Sequence, residues 1–367
     1  MIELKDVYVQ VNGFSLKGIS LVVYPGTCHI IIGPTGCGKT VLLEAMLGLR
    51  QIKKGLIIVD GKDVTNLPTH QRGFSYVPQD LAIFPHLTVE ENITYGIRYG
   101  NISEKSKYYK FAKELSELLG IAHLLKRKAI NLSGGEKQRV AFARALASGS
   151  KYLLLDEPLS ALHEAMKKEL WFLLKELQKR YGFTILMVSH DLEESFFLAD
   201  YISVMIDGVI HQTDKKEVVY RYPQNLEVAK YFGIKNIFKA EVVNVVGEHY
   251  RLYCEELKAE FLLPVDAVLR AFKSSDLVMS KSLNFGIRSE DVMILRRDLP
   301  IRNDNLLKGI VHSIYPMGSN SLALFKPERS ERLIEIIMPE YAFIKLNLKP
   351  FMSVTVSLRS DRLFVLK

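Results

Sequence analysis

The chain has 367 residues and a mass of 41.8 kDa, which allows two domains and at most three. Hydrophobic residues make up 48% of the sequence and charged residues 25%, an ordinary globular composition that excludes disordered and collagen-like classes. The formal net charge of +8 is spread along the chain, so there is no concentrated nucleic-acid-binding stripe, and we expect no nucleic-acid partner.

The first residues, 1–11, alternate apolar and polar side chains and lack the apolar core of a signal peptide. No part of the sequence has the uninterrupted apolar run of about 18 residues that a membrane-spanning helix needs. Three cysteines, Cys28, Cys37 and Cys254, are too few and too scattered for a disulfide framework or a zinc site. We therefore expect the chain to stay in the cytosol.

The first two thirds of the sequence alternate short apolar runs with helical patterns, which is typical of an α/β fold with a parallel sheet. Runs rich in Ile, Leu and Val predict buried strands at residues 27–33, 152–157, 184–190 and 201–208. Two apolar stripes at helical spacing predict helices that pack on the core. The stripes consist of Phe111, Leu115, Leu118 and Leu119, and of Leu170, Leu173, Leu174 and Leu177.

A glycine-rich loop follows the first predicted strand and precedes a helical segment. Residues 33–40 read GPTGCGKT and fit the phosphate-loop pattern G-x-x-x-x-G-K-[ST]. The glycines allow backbone N–H groups to surround phosphate oxygens, Lys39 would reach the β- and γ-phosphates, and Thr40 would offer a hydroxyl to Mg²⁺. The predicted nucleotide-binding residues of the loop are Gly33, Pro34, Thr35, Gly36, Cys37, Gly38, Lys39 and Thr40.

The second predicted strand ends in two acidic residues, Asp156 and Glu157. Carboxylates at that position lie at the carboxyl edge of the sheet, beside the phosphate loop. Asp156 suits Mg²⁺ coordination, and Glu157 suits general-base action on an attacking water. By itself such a strand end would indicate only a solvated terminus, but together with the phosphate loop it predicts a hydrolytic site.

Residues 132–136 read LSGGE and open a further helical segment. A helix start with exposed amides and a serine hydroxyl suits a γ-phosphate. At this point the sequence resembles the ATP-binding cassette family, whose signature is LSGGQ or LSGGE at the start of a helix. The resemblance implies ATP and Mg²⁺ as cofactors. It also implies that Ser133, Gly134 and Gly135 contact ATP held by a second copy of the chain.

The order of the motifs resembles the family over residues 1–235, and this order assigns further residues. The stretch VPQD resembles the family's Q-loop, which implies that Gln79 is a ligand of Mg²⁺ and water and senses the membrane partner. The stretch VSHD resembles the switch region, which implies that His190 contacts the γ-phosphate. Residues 79–96 resemble the importer branch, in which this stretch contacts a permease.

The resemblance also implies a mechanism and a set of partners. Two copies of the family's ATPase enclose two ATP molecules, and closure of the dimer drives a separate permease. For this chain the resemblance implies a homodimer, integral-membrane permease subunits, an extracytoplasmic substrate-binding protein, and a peripheral position on the inner face of the cell membrane. The implied catalytic residues are Glu157, His190 and Gln79, and the implied Mg²⁺ ligands are Thr40, Gln79 and Asp156.

Two positions depart from the family pattern. His163 follows Ser-Ala-Leu where relatives carry an aspartate that helps to link the two sites of the dimer. Relatives also carry an aromatic residue that stacks on adenine just before the second strand. Alignment by eye places Val11 there, and Tyr8 or Phe14 could substitute for it.

Beyond residue 235 the helical stripes fade, and short apolar runs separated by Gly and Pro predict a small β barrel or sandwich. The runs are at residues 240–246, 306–315, 321–325 and 354–367. This part resembles the OB-like regulatory domains of type I importer ATPases, with FGIRSEDV close to their GIRPED stretch. The predicted fold class is therefore an α/β P-loop ATPase domain with a parallel-rich sheet and a helical subdomain (residues 1–235), followed by a small all-β OB-like domain (residues 236–367).

Two similar heptads, at residues 236–242 and 305–311, either begin two related β units or are ordinary strands that look alike. Together with the phosphate loop they look most like molybdate/tungstate importer subunits. Importers of ferric iron, sulfate, polyamine or sugar share many of the same features and remain alternatives. A non-transport ATPase is less favoured, because the loop and signature are too close for a coiled-coil insertion and each occurs once. A binding or regulatory role centred on the β domain is the other class of function.

Overall fold

The computed structural model describes residues 1–11, 13–100, 104–271, 282–295 and 304–367. The chain divides into two compact units, Met1–Lys216 and Glu217–Lys367. Among the helices in the described ranges, none is both long enough and apolar enough to cross a membrane.

The first unit contains ten strands and six complete helices in its described part. The strands are β1 (Ile2–Val11), β2 (Phe14–Val23), β3 (Cys28–Ile32), β4 (Lys54–Val59), β5 (Lys62–Asp63), β6 (Phe74–Val77), β7 (Tyr152–Asp156), β8 (Thr184–Ser189), β9 (Tyr201–Ile206) and β10 (Val209–Lys215). The helices are α1 (Lys39–Leu47), α2 (Val89–Tyr99), α3 (Lys105–Leu118), α4 (Gly134–Ala147), α5 (Glu164–Tyr181) and α6 (Leu192–Leu198).

Two sheets form the framework of the first unit. The larger sheet has the order β10-β9-β3-β8-β7-β6 and is parallel except for β10. The smaller sheet, β2-β1-β4-β5, is antiparallel. Side chains from both sheets and from α1 form one hydrophobic core. The four predicted strands are confirmed as β3, β7, β8 and β9, and their carboxyl ends share one edge of the larger sheet.

Helices α2, α3 and α4 pack against one another and form the helical part of this unit. Two of them begin with a capping box, in which a side-chain oxygen and an acidic residue satisfy the first backbone N–H groups. Thr88 with Glu91 caps α2, and Ser133 with Glu136 caps α4. The predicted LSGGE helix therefore starts at its serine, as the sequence indicated.

The second unit is rich in β-strands. Its strands are β11 (Ile237–Val246), β12 (His249–Cys254), β13 (Ala259–Pro264), β14 (Ser282–Gly286), β15 (Val292–Ile294), β16 (Leu306–Met317), β17 (Asn320–Pro327), β18 (Ile334–Pro339), β19 (Ser353–Leu358) and β20 (Phe364–Leu366). Its short helices are α7 (Lys216–Arg221), α8 (Leu226–Tyr231), α9 (Val265–Ala271) and α10 (Glu340–Leu346). Helix α7 begins one residue before the start of the second unit at Glu217. Two five-stranded antiparallel sheets share one hydrophobic core, so the predicted β-rich fold class is confirmed.

The topology of the second unit is duplicated. Strands β11, β12 and β13 form a meander, which is followed by α9 and by β14 paired with β11. Strands β16, β17 and β18, helix α10 and strand β19 repeat this order. The fifth strands are exchanged: β15 joins β19, and β20 joins β14. The predicted run at 354–367 is therefore two strands in different sheets.

Equivalent asparagines begin the two halves and bond to each other's third strand. Asn236 pairs with the backbone of Glu335 in β18 through both its amide nitrogen and its oxygen, at 2.8 Å each. Asn305 pairs in the same way with Leu262 in β13, at 2.9 and 2.6 Å. The shared topology and these matching bonds favour two related β units as the origin of the similar heptads.

The segment between the predicted domain boundary and the contact-based one packs within the second unit. Ala229 and Ile234 share a small hydrophobic cluster with Phe364 of β20. The Arg288 side chain donates to the Tyr220 carbonyl oxygen at 3.0 Å and lies 3.7 Å from the centre of the Tyr220 ring. These contacts place the start of the compact second unit at residue 217.

Candidate functional site

The glycine-rich loop connects β3 to α1 at the carboxyl edge of the parallel sheet. Gly38 has a φ of 103° and is the N-cap of α1, so its backbone lies in the left-handed region that glycine adopts without strain. A Cβ at Gly33 would lie 2.0 Å from the Met205 carbonyl oxygen, so only glycine fits there. Both glycines thus allow the tight turn that leaves the first amides of α1 exposed to an anion.

Lys39, the first residue of α1, is 95% buried, with a relative exposure of only 5%. Its ammonium group donates to the carbonyl oxygens of Gly33 at 2.9 Å and Pro34 at 3.1 Å. The same nitrogen lies 3.7 Å from Oε1 of Glu157. The positive charge is therefore held inside the loop and directly opposite the acidic end of β7.

Asp156, the last residue of β7, is buried and hydrogen-bonded on both oxygens. Its Oδ1 accepts from the Thr40 hydroxyl at 3.0 Å, and its Oδ2 accepts from the Tyr76 hydroxyl at 3.3 Å. Burial raises the pKa of Asp156, whereas the two hydrogen bonds lower it. A buried carboxylate next to a threonine hydroxyl supplies the oxygen ligands that Mg²⁺ prefers, so these residues fit a magnesium ion.

Glu157 lies just past the end of β7 and faces His190, which follows β8. The His190 Nδ1 and the Glu157 Oε2 are 2.9 Å apart. Glu157 has a φ of 43°, and its backbone N–H donates to the Val188 carbonyl oxygen at 3.0 Å. This unusual backbone conformation, anchored to the neighbouring strand, turns the carboxylate towards both Lys39 and His190.

A buried carboxylate lies behind His190. The Ser189 hydroxyl donates to Oε2 of Glu194 at 2.9 Å and accepts from the Asp191 backbone N–H at 3.0 Å. Burial raises the pKa of Glu194 to about 7. Glu194 was not predicted from the sequence, where it reads as one more acidic residue in the first turn of a helix.

Apart from loop residues 33–38, the sequence-predicted site residues fall into two groups. Lys39, Thr40, Asp156, Glu157 and His190 meet at one edge of the sheet. The second group is Gln79, Ser133, Gly134 and Gly135. In the described part of the chain, no hydrogen bond or ion pair joins these four residues to the phosphate loop, to Asp156 or to Glu157.

The predicted Q-loop is tied to the signature helix. Arg144 of α4 donates to the carbonyl oxygens of Leu81 and Ala82, at 2.7 and 2.6 Å. Both accepting residues have positive φ, 62° and 43°. Gln79 itself is exposed just past the end of β6. The arginine therefore fixes an unfavourable backbone turn and connects the Q-loop to α4.

Two aromatic residues differ in their relation to the phosphate loop. The Phe14 ring lies against Gly38, where an added Cβ would be 2.6 Å from Phe14 Cε1. It also borders Gly208, where an added Cβ would be 3.3 Å from Phe14 Cζ. The Tyr8 ring instead lies under the Lys54 ammonium, 5.1 Å from the ring centre. Of the three residues the sequence left open, Phe14 is the aromatic one that borders the loop. In the sequence, Phe14 could be singled out because it is an aromatic residue at the start of β2, close to the position expected for the residue that stacks on adenine.

His163 lies at the start of α5. It is the N-cap of this helix, but its side chain makes no capping hydrogen bond. An aspartate at an N-cap normally accepts a bond from the first turn, which an imidazole does less readily. The histidine therefore leaves the start of α5 without this local support.

Comparison with known proteins identifies the class. The family profile described as ABC transporter matches residues 16–160. The molybdate/tungstate import ATP-binding protein WtpC of Pyrococcus horikoshii is 36% identical over 319 residues, 87% of each chain. The spermidine/putrescine import ATP-binding protein PotA of Thermotoga maritima is 34% identical over 319 residues, 86% of this chain and 84% of that protein.

Two solved structures share the fold of the first unit. The ADP conformation of MJ1267, an ATP-binding cassette of an ABC transporter, has 25% identity and a TM-score of 0.57, and it covers 63% of this chain and 98% of that one. The dimeric post-hydrolysis state of the ATP-binding cassette MJ0796 bound to ADP and Pi has 29% identity and a TM-score of 0.51. The match covers 59% of this chain and 98% of the MJ0796 chain.

The fold, the site and these relatives define an ATP-binding cassette. The chain belongs to the ABC transporter family. Within that family it is an ATP-hydrolysing subunit of the import type.

Proposed function

We propose that the chain hydrolyses ATP with Glu157 as general base, as one half of a homodimer that powers an oxyanion importer. The observation that carries the proposal is the convergence of five side chains at the carboxyl edge of the sheet. They are Lys39, Thr40, Asp156, Glu157 and His190. No single one of them is diagnostic, but together they supply a cation, metal ligands, a base and an orienting imidazole.

In this proposal the loop binds and orients the triphosphate. The amides of residues 33–40 and the Lys39 ammonium contact the phosphate oxygens, and Phe14 covers the adenine. Thr40 and Asp156, which lie 3.0 Å apart, would hold Mg²⁺ together with Gln79. When bound, Mg²⁺ neutralises charge that develops on the phosphates. Because Gln79 precedes the turn held by Arg144, its approach to the site depends on that loop.

Glu157 accepts the proton of the attacking water. Its carboxylate has one oxygen beside His190 and the other beside Lys39, which keeps it close to the position expected for the γ-phosphate. His190 orients this carboxylate and contacts the γ-phosphate. Behind it, the Ser189–Glu194 hydrogen bond fixes the end of β8, so the imidazole starts from a rigid position.

The signature residues act on a second copy of the chain. Ser133, Gly134 and Gly135 form the amino-terminal end of α4, and among the described residues no hydrogen bond joins them to the phosphate loop, so they are available for ATP held by another copy. The related cassette MJ0796 is dimeric in a post-hydrolysis state with ADP and Pi bound, which agrees with action across a dimer.

Sedimentation with a non-hydrolysable ATP analogue tests the dimer. We expect an analogue-dependent dimer that Ser133→Arg abolishes, while Ser106→Arg, an exposed serine of α3, leaves it intact. A dimer that forms equally in both variants would exclude this role of the signature.

An aromatic groove beside the Q-loop is the proposed permease contact. It has a volume of about 470 Å³ and is lined by Phe84, Tyr95 and Arg144 among others. Tyr95 is 38% exposed and Tyr99 of the same helix is 70% exposed. Exposed aromatic side chains around a groove are typical of a protein contact site. A permease segment docked here would also touch the loop that carries Gln79, which would couple it to the ATP site.

The proposed cargo is molybdate or tungstate, carried to the permease by an extracytoplasmic binding protein. The support is the sequence identity to WtpC proteins, which is 36% for the protein of Pyrococcus horikoshii and 39% for the protein of Thermococcus kodakarensis. A polyamine is the second candidate, since PotA proteins reach 35%. The chain would then lie on the inner face of the cell membrane.

Crosslinking of tagged chain in native membranes tests the partners and the cargo. We expect recovery of a multi-span permease and of a binding protein that retains an oxyanion. A binding protein that retains a polyamine would establish the second candidate. Recovery of only soluble partners would contradict the importer assignment.

A further inference from the structure

A cleft of about 460 Å³ lies at the edge of the parallel sheet opposite to the nucleotide site. It is bordered by Lys151, which precedes β7, and by Phe183, which precedes β8. The predicted ATP-binding residues lie instead at the carboxyl ends of these strands. Helix α3 and the carboxyl ends of α4 and α5 complete the walls of this amino-edge cleft.

The walls of the amino-edge cleft are aromatic. The Phe111 and Tyr181 rings meet edge to face with centres 5.1 Å apart, and Tyr181 lies 5.7 Å from Phe183. The Tyr108 ring rests on Gly149, where an added Cβ would be 2.0 Å from Cε1. Small-molecule sites are typically clefts of roughly 300–1,000 Å³ with apolar, aromatic walls and a few polar groups. This cleft has that size and that lining.

The polar groups of the cleft give it a positive charge. Lys107, Lys110 and Lys151 border it, and Glu114 is its acidic residue. The Glu114 carboxylate already accepts hydrogen bonds from Arg180 at 2.7 Å and from the Tyr181 hydroxyl at 2.8 Å.

Two of these lysines have no carboxylate within ion-pair distance among the described residues, although Lys151 lies near enough to Asp60 to help lower the pKa of that carboxyl. Within the described residues, Lys110 and Lys151 form no ion pair, and Lys107 pairs only with an exposed glutamate at 3.8 Å. Lys107 also lies in the first turn of α3, where the helix dipole adds positive potential.

We propose that the amino-edge cleft binds a small organic anion with an aromatic body. The aromatic part would lie against Phe111 and Tyr181, and the acidic group would face Lys107 and Lys110. Charge complementarity selects an anion, and the aromatic walls select a flat apolar body. This site shares no residue with the ATP site or the Q-loop groove, so it stands independently of the proposed function.

Fluorescence titration of the full chain with anilinonaphthalene sulfonate, an aromatic sulfonate, tests the cleft. ADP is kept saturating so that the nucleotide site is filled. We expect one probe per chain. Lys110→Gln should raise the probe Kd by about threefold to fivefold, the usual effect of one exposed charge contact. The matched control Lys113→Gln removes the same charge from the same helix outside the cleft and should leave the Kd unchanged. Equal Kd values in the two variants would overturn the proposal.

A second measurement locates the probe by the protection of a cysteine from alkylation rather than by a change in Kd. All three native cysteines are buried, so a cysteine introduced at an exposed position is the reactive one. We expect the probe to slow alkylation of Lys107→Cys and to leave alkylation of Lys113→Cys unchanged. A probe that binds without protecting Lys107→Cys lies elsewhere, and this result would refute the cleft as the site.

Discussion

Replacement of Phe14 by alanine tests the account of how the nucleotide base is held. The Phe14 ring borders Gly38 of the phosphate loop and Gly208, so it lies where the base of a nucleotide bound to that loop can stack on it. The Tyr8 ring is the alternative, but it is engaged by Lys54 on the other side of the strand pair. The structure thus favours one of the two aromatic residues.

The size of the expected effect follows from base stacking. Stacking of one base on an aromatic side chain contributes about 1–3 kcal/mol. Since about 1.4 kcal/mol corresponds to a tenfold change in Kd, Phe14→Ala should raise the Kd for ATP about 5- to 140-fold. Tyr8→Ala should change the Kd by less than about twofold, because the Tyr8 ring lies against Lys54 and Gly18 rather than against a described glycine of the loop. Phe14→Tyr keeps the ring and should restore binding.

Displacement of a fluorescent ATP analogue by ATP gives these Kd values directly. The melting temperature of each variant without nucleotide serves as the control for folding, because Phe14 also contributes to the core of the first unit. If Phe14→Ala binds ATP as tightly as the unmodified chain, or if Tyr8→Ala is the weaker variant, the assignment of Phe14 is wrong.

Three further predictions concern single residues. Gly33→Ala should abolish ATP binding while the chain stays folded, because the new Cβ would lie 2.0 Å from the Met205 carbonyl oxygen and would displace the loop. An unchanged Kd for ATP in a titration would show that the loop accommodates the methyl group. Asn305→Ala should lower the free energy of unfolding by about 3 kcal/mol, since each buried backbone group left unpaired costs about 1–3 kcal/mol. Urea unfolding measures this change, and a loss below about 1 kcal/mol would show that the Asn305 hydrogen bonds to the backbone contribute little to stability. Glu194 has a pKa of about 7 in the folded chain, above its ordinary value of 4.5, so the folded state binds the extra proton and stability falls as the pH rises from 4.5 to 7. Glu194→Gln should flatten that dependence, and an unchanged pH profile of unfolding would exclude Glu194 as its source.

The central parallel strands and their motifs could be predicted from the sequence because both are local. The run at residues 152–155 is apolar throughout and is buried on both faces, so its sequence alone indicates a central strand. The glycine-rich loop and the acidic strand end follow such runs directly. Their meeting at one edge is then a consequence of parallel strands, and the contact between Glu157 and His190 agrees with it.

The remaining features depend on pairings between distant residues, which no local pattern encodes. The run at residues 354–367 is one apolar stretch in sequence, yet its two strands join different sheets because the halves of the second unit exchange their last strands. The segment after residue 216 reads as the end of the ATPase, but Ala229 packs beside Phe364. Likewise, the choice between Tyr8 and Phe14 depended on the position of Gly38.

Turnover of the Glu157→Gln variant tests the central claim most directly. ATP hydrolysis by the full chain is measured together with the Kd for ATP, and Glu164→Gln, an exposed residue of α5, serves as the matched control. The account predicts that Glu157→Gln binds ATP but turns over at least about tenfold more slowly, the scale of a general-base contribution. Near-normal turnover with intact ATP binding would contradict Glu157 as the base and, with it, the proposed mechanism.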